Sequence, residues 1–388
     1  MPVVNRIAAF HEDMKAWRRD IHSRPELAFE ETRTADLVAA KLAEFGIDVH
    51  RGLAKTGVVG TLRAGSSGRA IGLRADMDAL PMAETNDFKH RSLNAGRMHA
   101  CGHDGHTAML LGAAKYLAET RNFDGTVQFI FQPAEEGGGG GDVMVKEGLF
   151  EKFPVESVYG MHNWPGLEAG RFAVRPGPMM ASADQFDLVV RGLGTHAAMP
   201  QRGTDPVVCA AQIVTALQTI SSRETSPLDA VVVSVTQIHA GDAYNVIPNE
   251  CVLRGTLRAF APNVRDGLEA AMKRIAGGIA AAMGCETTLD YRRGYPPLVN
   301  SAAEVEIAAA AMRAVVGAEH VATDGIATMG SEDFAFMLEA KPGAYVFLGN
   351  GAGPSLHNPR YDFNDDVLPI GASFWATLVE QNLPRKAA

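Results

Sequence analysis

The segment Met98-His-Ala-Cys-Gly-His-Asp-Gly-His106 constrains this chain more than any other stretch. Three histidines, a cysteine and an aspartate fall within eight residues, immediately before a helical pattern running from Gly105 to Glu119. Imidazole and thiolate are favoured ligands of zinc and similar ions, and the interleaved glycines let the backbone bring them together. Cys101 is better read as a thiolate ligand than as a nucleophile, because no separate base–orienter pair accompanies it. A fold that uses this segment must carry further ligands to it from remote parts of the chain.

Several remote segments qualify. Asp76 and Asp78 close the strand-like run Ile71–Ala75, and α/β sheets place ligands where strands end. A helix cap or a turn explains these two aspartates equally well. Glu135 and Glu136 follow the apolar strand Thr126–Phe131. Adjacent carboxylates repel unless a cation compensates, so one is expected to bind metal while its neighbour takes a proton from water. The plain alternative is an exposed acidic loop. The glycine run Gly137–Gly141 lacks the Gly-Lys-Ser/Thr ending of a phosphate loop. His162 follows the strand Val155–Tyr159, and His357 stands in Ser355-Leu-His-Asn-Pro. Together these strand-end residues are expected to meet at one edge of a sheet. His196, between a glycine and small residues in Gly194-Thr-His-Ala-Ala-Met-Pro200, suits an oxyanion donor, and Asn245 is a similar polar group amid apolar ones; turn chemistry explains both as readily. Glu332 and Asp333 read as a helix N-terminus with acidic residues favouring the dipole, and a structural or a catalytic role fits them equally.

At 388 residues the chain is too long for one ordinary domain. Helical periods over Val4–Ile21 and Glu30–Phe45, with short apolar strands at Val58–Leu62 and Ala70–Leu73, predict a layered α/β domain. The middle differs. Strand Phe186–Val190, helix Pro206–Ile220, strands Ala230–Ile238 and Cys251–Arg258, helix Val264–Met283 and strand Thr287–Tyr291 give the order β-α-β-β-α-β of a ferredoxin-like unit. Pro- and Gly-rich stretches at Arg175–Pro178 and Gly294–Pro297 flank it, and the helix–strand alternation resumes after Asn300. The expected division is therefore 1–182 and 297–388 for one α/β domain, with 183–296 inserted. The β-branched strand Ala230–Ile238 is a candidate sheet edge for pairing across a dimer.

Composition excludes several classes. A net charge of −9 leaves no basic excess for a nucleic-acid partner, and no stretch approaches the roughly 20 apolar residues of a membrane span. Residues Met1 to Asp20 lack a signal-peptide core, and four scattered cysteines with no CxxC pair argue against a disulfide framework, so a cytoplasmic location is expected.

The ordered motifs RADMDALP, MHACGHDGHTAML, FQPAEEGGGG, GMHNWP, GTHAAMP, NVIPNECVLRGTLR, MGSEDF and LHNP resemble the hippurate hydrolase and aminoacylase-type branch of the dinuclear metallopeptidases, related to carboxypeptidase G and indole-acetyl-amino-acid hydrolases. The resemblance runs from His22 to the C-terminal region. It implies a zinc-peptidase-like catalytic domain interrupted by a lid or dimerisation domain, and hydrolysis of N-acyl amino acids, with a dipeptidase or carboxypeptidase as the alternative. It implies two divalent ions per subunit, manganese or zinc before cobalt or nickel, held by Cys101, His103, Glu136, His162 and His357. Glu135 is implied as general base, Asp78 as orienting a ligand, and Asp76 and Asp104 as supporting it. His196 is implied to approach from the smaller domain, supplied by a partner subunit in dimeric relatives, so a homodimer or homotetramer is expected. Asn245 and Arg258 match positions near the substrate or lid.

Overall fold

The computed structural model describes residues 4–325 and 327–385. They form two compact units: the described residues of Met1–Gly177, Val299–Ile326 and Asp333–Ala388 make the larger, and Pro178–Leu298 with Ala327–Glu332 the smaller.

The larger unit begins with helices. The apolar period over 4–21 predicts one helix, but the chain forms a short turn of helix, Asn5–Ala8, and then α1, His11–Ser23. The backbone closes from the Phe10 amide to the Ile7 carbonyl at 2.9 Å, and the break lets Ile7, Phe10 and Met14 all enter the core. Helix α2, Thr32–Glu44, buries Ala35, Val38, Ala39 and Leu42, the stripe of an amphipathic helix. Strand β1, Asp48–Leu53, is mostly exposed and pairs antiparallel with β2, Gly57–Ala64, at the sheet edge. With both faces largely wet, β1 shows no apolar run and escapes a sequence reading. Strand β3, Ala70–Asp76, is buried along its whole length, as a strand covered on both faces must be. Helix α3, His103–Thr120, follows, then β4, Gly125–Gln132, β5, Ser157–Pro165, and the short β6, Phe172–Ala173.

The smaller unit comprises β7, Asp184–Arg191, α4, Pro206–Leu217, β8, Val231–His239, β9, Glu250–Ala259, α5, Pro262–Ala282, and β10, Glu286–Arg293. Its sheet runs β8-β9-β7-β10 with every neighbour antiparallel, the ferredoxin-like order, and β8 lies at an edge. Proline at the first helical position and the Asp205 carboxylate, which accepts the Val207 and Val208 amides, start α4. Phe186 and Leu188 of β7, Leu253 and Leu257 of β9, Ile213 of α4 and Met272 of α5 share one core.

The chain then returns to the larger unit with α6, Ala302–Val316, β11, Val321–Ala322, β12, Gly343–Gly351, and α7, Leu368–Asn382. The completed sheet has eight strands in the order β1-β2-β4-β3-β5-β12-β6-β11. Its centre, β4, β3, β5 and β12, is parallel, so these four strands end at one edge.

Two glycines fix the start of α3 against that edge. Gly102 has φ 96°, and a Cβ there would lie 2.1 Å from the Asn163 amide nitrogen. At Gly105 a Cβ would lie 2.2 Å from the Phe363 ring. Gly105→Ala is therefore expected to destabilise the fold by about 1–3 kcal/mol through overpacking. Gly267→Ala on α5, where a Cβ would meet nothing within 4 Å, should instead stabilise it by about 0.4–1 kcal/mol. Denaturant midpoints of the two variants test the opposite signs; an unshifted Gly105→Ala midpoint contradicts the packing.

Candidate metal centre

The parallel strand ends set the stage. Asp76 is the last residue of β3, with Asp78 just beyond; Glu135 and Glu136 leave β4; His162 stands on β5. His103 is the first residue of α3, and Cys101 precedes the Gly102 turn. His357 lies in the loop after β12 with φ 60°, its amide held by the Ala100 carbonyl at 2.8 Å.

These residues meet as two overlapping donor sets. Cys101, His103 and His162 form one, and Cys101, Glu136 and His357 the other, with the ligand atoms of each set within 4.8 Å of one another. Cys101 Sγ is common to both. His162 Nε2 lies 3.3 Å from that sulfur, and His357 Nε2 3.3 Å from Glu136 Oε1.

Hydrogen bonds on the far side of each ring say which nitrogen faces the centre. His103 Nδ1 lies 2.9 Å from the Asp78 carbonyl oxygen, which can only accept, so Nδ1 donates and Nε2 is the nitrogen that faces the centre. That Nε2 is buried with no hydrogen-bond partner, an arrangement costing about 1–3 kcal/mol unless something binds there. His162 Nδ1 likewise donates to the Asn163 carbonyl at 2.6 Å, leaving Nε2 for the Cys101 side. An orphaned imidazole nitrogen together with thiol sulfur, a second imidazole and a carboxylate, in two sets sharing one atom, fits a pair of divalent cations.

Electrostatics agree. Burial pushes the Cys101 thiol well above its usual range, and the charges of Glu136, Glu135 and Asp76 push it further. Only a cation makes a thiolate tenable there. Burial pulls His103 down, but the Asp76 charge and the Asp78 hydrogen bond and charge carry it up to about 10, a proton that a divalent ion would displace. Burial holds His162 well below its usual range, with the charge of His106 adding to it. A hydrogen bond to Glu136 raises His357 against its partial burial.

Other residues of the motifs play different parts. His106 accepts the Asn163 amide on Nε2 at 2.9 Å and so donates from Nδ1 to Asp76 at 2.6 Å; both nitrogens are engaged. His99 is buried and belongs to no donor set. Asp104 turns away, to His22 Nδ1 at 2.8 Å and Arg18 Nη1 at 3.5 Å. Asp78 accepts the Glu135 amide at 3.0 Å and the Glu136 amide at 2.9 Å, so one carboxylate aims both glutamates and His103. Asp76 also takes Arg74 Nη1 at 2.6 Å, and Arg74 Nη2 reaches Asp333 at 2.9 Å. Asp333 accepts Gln132 and the Gly141 amide as well, which makes it a structural anchor of the strand ends. Arg74, Asn163, Glu31 and Tyr361, whose hydroxyl donates to Asn163 at 2.6 Å, carry no spacing signal that sequence reasoning could use.

In the smaller unit, His196 and Asn245 are exposed and lie side by side, with the Asn245 carbonyl accepting the Ala197 amide at 3.0 Å and His196 opposite Val246. Arg258 on β9 is partly buried and donates to the Leu257 carbonyl at 2.9 Å and to the Thr256 hydroxyl.

Comparison with known proteins follows the same lines. The model of peptidase family M20/M25/M40 matches residues 72–381. The hippurate hydrolase of Campylobacter jejuni is 41% identical over 97% of this chain and 98% of its own length. The IAA-amino acid hydrolase ILR1-like 2 of Arabidopsis thaliana is 42% identical, covering 96% of this chain and 85% of its own. Among solved structures, the Bacillus subtilis YXEP protein, a dinuclear metal binding peptidase of the M20 family, superposes with a TM-score of 0.86 at 34% identity over 97% of this chain and 99% of its own.

Equilibrium dialysis against Mn²⁺ or Zn²⁺ should give two ions per chain. Cys101→Ala, which removes the donor common to both sets, should weaken both, and Asp78→Asn should lower affinity by about 10–100-fold through lost orientation. Two ions bound by Cys101→Ala with unchanged affinity would exclude the shared sulfur.

Proposed function

The chain belongs to peptidase family M20/M25/M40, and from that premise we propose that it is a metal-dependent amidohydrolase cleaving N-acyl amino acids to a carboxylic acid and a free amino acid. The observation that carries the reading is the double donor set sharing Cys101, with a second carboxylate, Glu135, within reach of His103 and Glu136. Full-length similarity to enzymes named for acyl-amino-acid substrates supports the substrate class over a peptide.

Cys101, His103, Glu136, His162 and His357 are the proposed ligands. Two bound divalent ions would supply Lewis acidity, polarising the scissile carbonyl and acidifying water. The chain's own groups do the rest. Glu135 Oε2 lies 4.0 Å from His103 Nε2, and its backbone is pinned by Asp78. As general base it takes the proton of the attacking water and returns it to the departing amine. Asp78 holds Glu135, Glu136 and His103 in mutual register, and Asp76 and Asp104 support from behind, through His106 and His22. His196, from the smaller unit, is the proposed oxyanion donor, with Asn245 near the substrate and Arg258 for its carboxylate.

Sulfur, imidazole and carboxylate together suit zinc and manganese. The exposed Ile238 on edge strand β8, with exposed Tyr244 and Val246, supports pairing with a second copy of the chain. Four buried free thiols and the lack, among described residues, of a helix long and apolar enough to cross a membrane fit a reducing, aqueous compartment, the cytoplasm.

A hydrolysis screen over benzoyl-, acetyl- and indole-acetyl-amino acids beside dipeptides, with defined metal, tests the substrate class; turnover of peptides alone would favour the peptidase reading. Glu135→Gln should lower kcat by about 10²–10⁴-fold while retaining metal. His196→Ala should cost about 2.7–4 kcal/mol of barrier. A normal kcat for Glu135→Gln rules out its role as base.

A further inference from the structure

Glu31 lies at the start of α2, fully buried, and its own carbonyl accepts the Ala35 amide at 2.9 Å. A helix-start residue needs nothing more, yet its carboxylate is directed elsewhere. Oε1 accepts two amides, Phe29 at 3.0 Å and Ala134 at 2.9 Å, and Oε2 accepts the Thr56 hydroxyl at 2.6 Å. Phe29 and Ala134 are both non-glycine residues with left-handed backbones, φ 63° and 57°. Side chains with a Cβ rarely adopt that conformation, and it persists where surrounding contacts over-determine it. A single oxygen therefore pins two strained positions from distant parts of the sequence.

Ala134 is the residue from which Glu135 and Glu136 depart. Counting forward from it, three successive amides end on buried carboxylates: Ala134 on Glu31, then Glu135 and Glu136 on Asp78. The loop also folds back on itself. The Gly140 amide donates to the Ala134 carbonyl at 3.1 Å, and a Cβ on Gly138 would lie 2.7 Å from the Ala134 Cβ and 3.1 Å from the Phe29 ring. Glu31, Phe29, Ala134 and Gly138 thus form one packed knot behind the two glutamates.

We propose that Glu31 is a positioning residue for the reaction: by holding Ala134 in its left-handed conformation it sets the directions in which Glu135 and Glu136 leave the backbone. This rests on the reading of Glu135 as base and Glu136 as ligand. Asp78 holds the two amides that follow Ala134, so removing Glu31 leaves the loop attached but misdirected. Small displacements of reacting groups are enough to slow chemistry by about 10²-fold.

The test compares the metal-loaded wild-type chain with Glu31→Ala and Glu31→Gln on an acyl amino acid that the wild type cleaves. Glu31→Ala should lower kcat by about 10–100-fold with KM nearly unchanged. Glu31→Gln should restore most of it, because its amide oxygen can still accept both backbone N–H groups while its NH₂ donates to the Thr56 hydroxyl. Hydrogen exchange should show the amides of residues 134–136 exchanging faster in Glu31→Ala and near the wild-type rate in Glu31→Gln. A wild-type kcat in Glu31→Ala, or a Glu31→Gln variant as impaired as Glu31→Ala, overturns the proposal. Should Glu31→Ala not fold, Thr56→Val, which removes one restraint on the carboxylate, is expected to give a smaller kcat loss, and an unchanged kcat and exchange pattern there overturns it too. If the wild type cleaves no acyl amino acid, the functional reading fails while the exchange rates still decide what Glu31 holds.

Discussion

Three buried carboxylates, Asp76, Asp78 and Glu135, surround the buried His103, and a fourth, Glu136, is partly buried beside them. Two like charges about 4 Å apart repel by about 4 kcal/mol in the partly polar surroundings of a protein. Much of the local structure answers that repulsion. Burial raises Asp76, yet His103, Arg74 and His106 together hold it well below the usual carboxylate range. Asp78 is answered by backbone: two consecutive amides and one imidazole. Asp104 is drawn off to the His22 and Arg18 side, where burial is outweighed by His22 and Arg18 and the carboxyl again lies well below its ordinary range. Cys101, Glu135 and Glu136 are likewise gathered around His103, and divalent cations there would offset the concentration of negative charge.

How much of this was legible in the sequence depends on whether a residue's role is local. Cys101, His103, Glu136, His162 and His357 stand in short, distinctive segments, and the structure brings all five together. The ferredoxin-like unit was legible because its strands are β-branched and its helices begin at prolines, both local signals. The division of labour among the clustered histidines was not. His103 and His106 share the first turn of α3, but one turns an orphaned nitrogen to the centre while the other is bonded on both sides, to Asp76 and to Asn163. That difference is made by residues on other strands. Glu31 and Arg74 are illegible for the same reason: an isolated glutamate or arginine carries no period, and its meaning comes from Ala134, Gln132 or Asp333, far along the chain. The break near Phe10 and the exposed strand β1 escaped because tertiary packing, and not pattern, decides them.

The parallel sheet explains how such remote groups keep a common geometry. Strand β3 pairs with β4 so that Asp76 lies opposite Gln132, and with β5 so that Arg74 lies opposite Gly160. The turns that carry the candidate donors therefore emerge from neighbouring strands at fixed heights, and cross-bonds at the strand ends, Arg74 to Gln132 at 2.9 Å among them, lock those heights. The glycines at the head of α3 then bring the helix against Asn163 and Phe363 without a side chain between.

Along β3, Arg74 and Asp76 stand at alternate positions, while Leu73 and Ala75 belong to the apolar core. Successive strand residues point to opposite faces, so the charged series lies on one side and the apolar series on the other. In an ordinary sheet such alternation marks a face in water. Here both series are buried, and Arg74 and Asp76 are answered by each other, Gln132, Asp333 and His106 in place of water. A slip of one residue would drive a carboxylate and a guanidinium into the apolar core and put Leu73 and Ala75 in their places. The register of β3 is thus specified twice, once by apolar burial and once by charge compensation, and the same pairing that stabilises the sheet holds the centre in place.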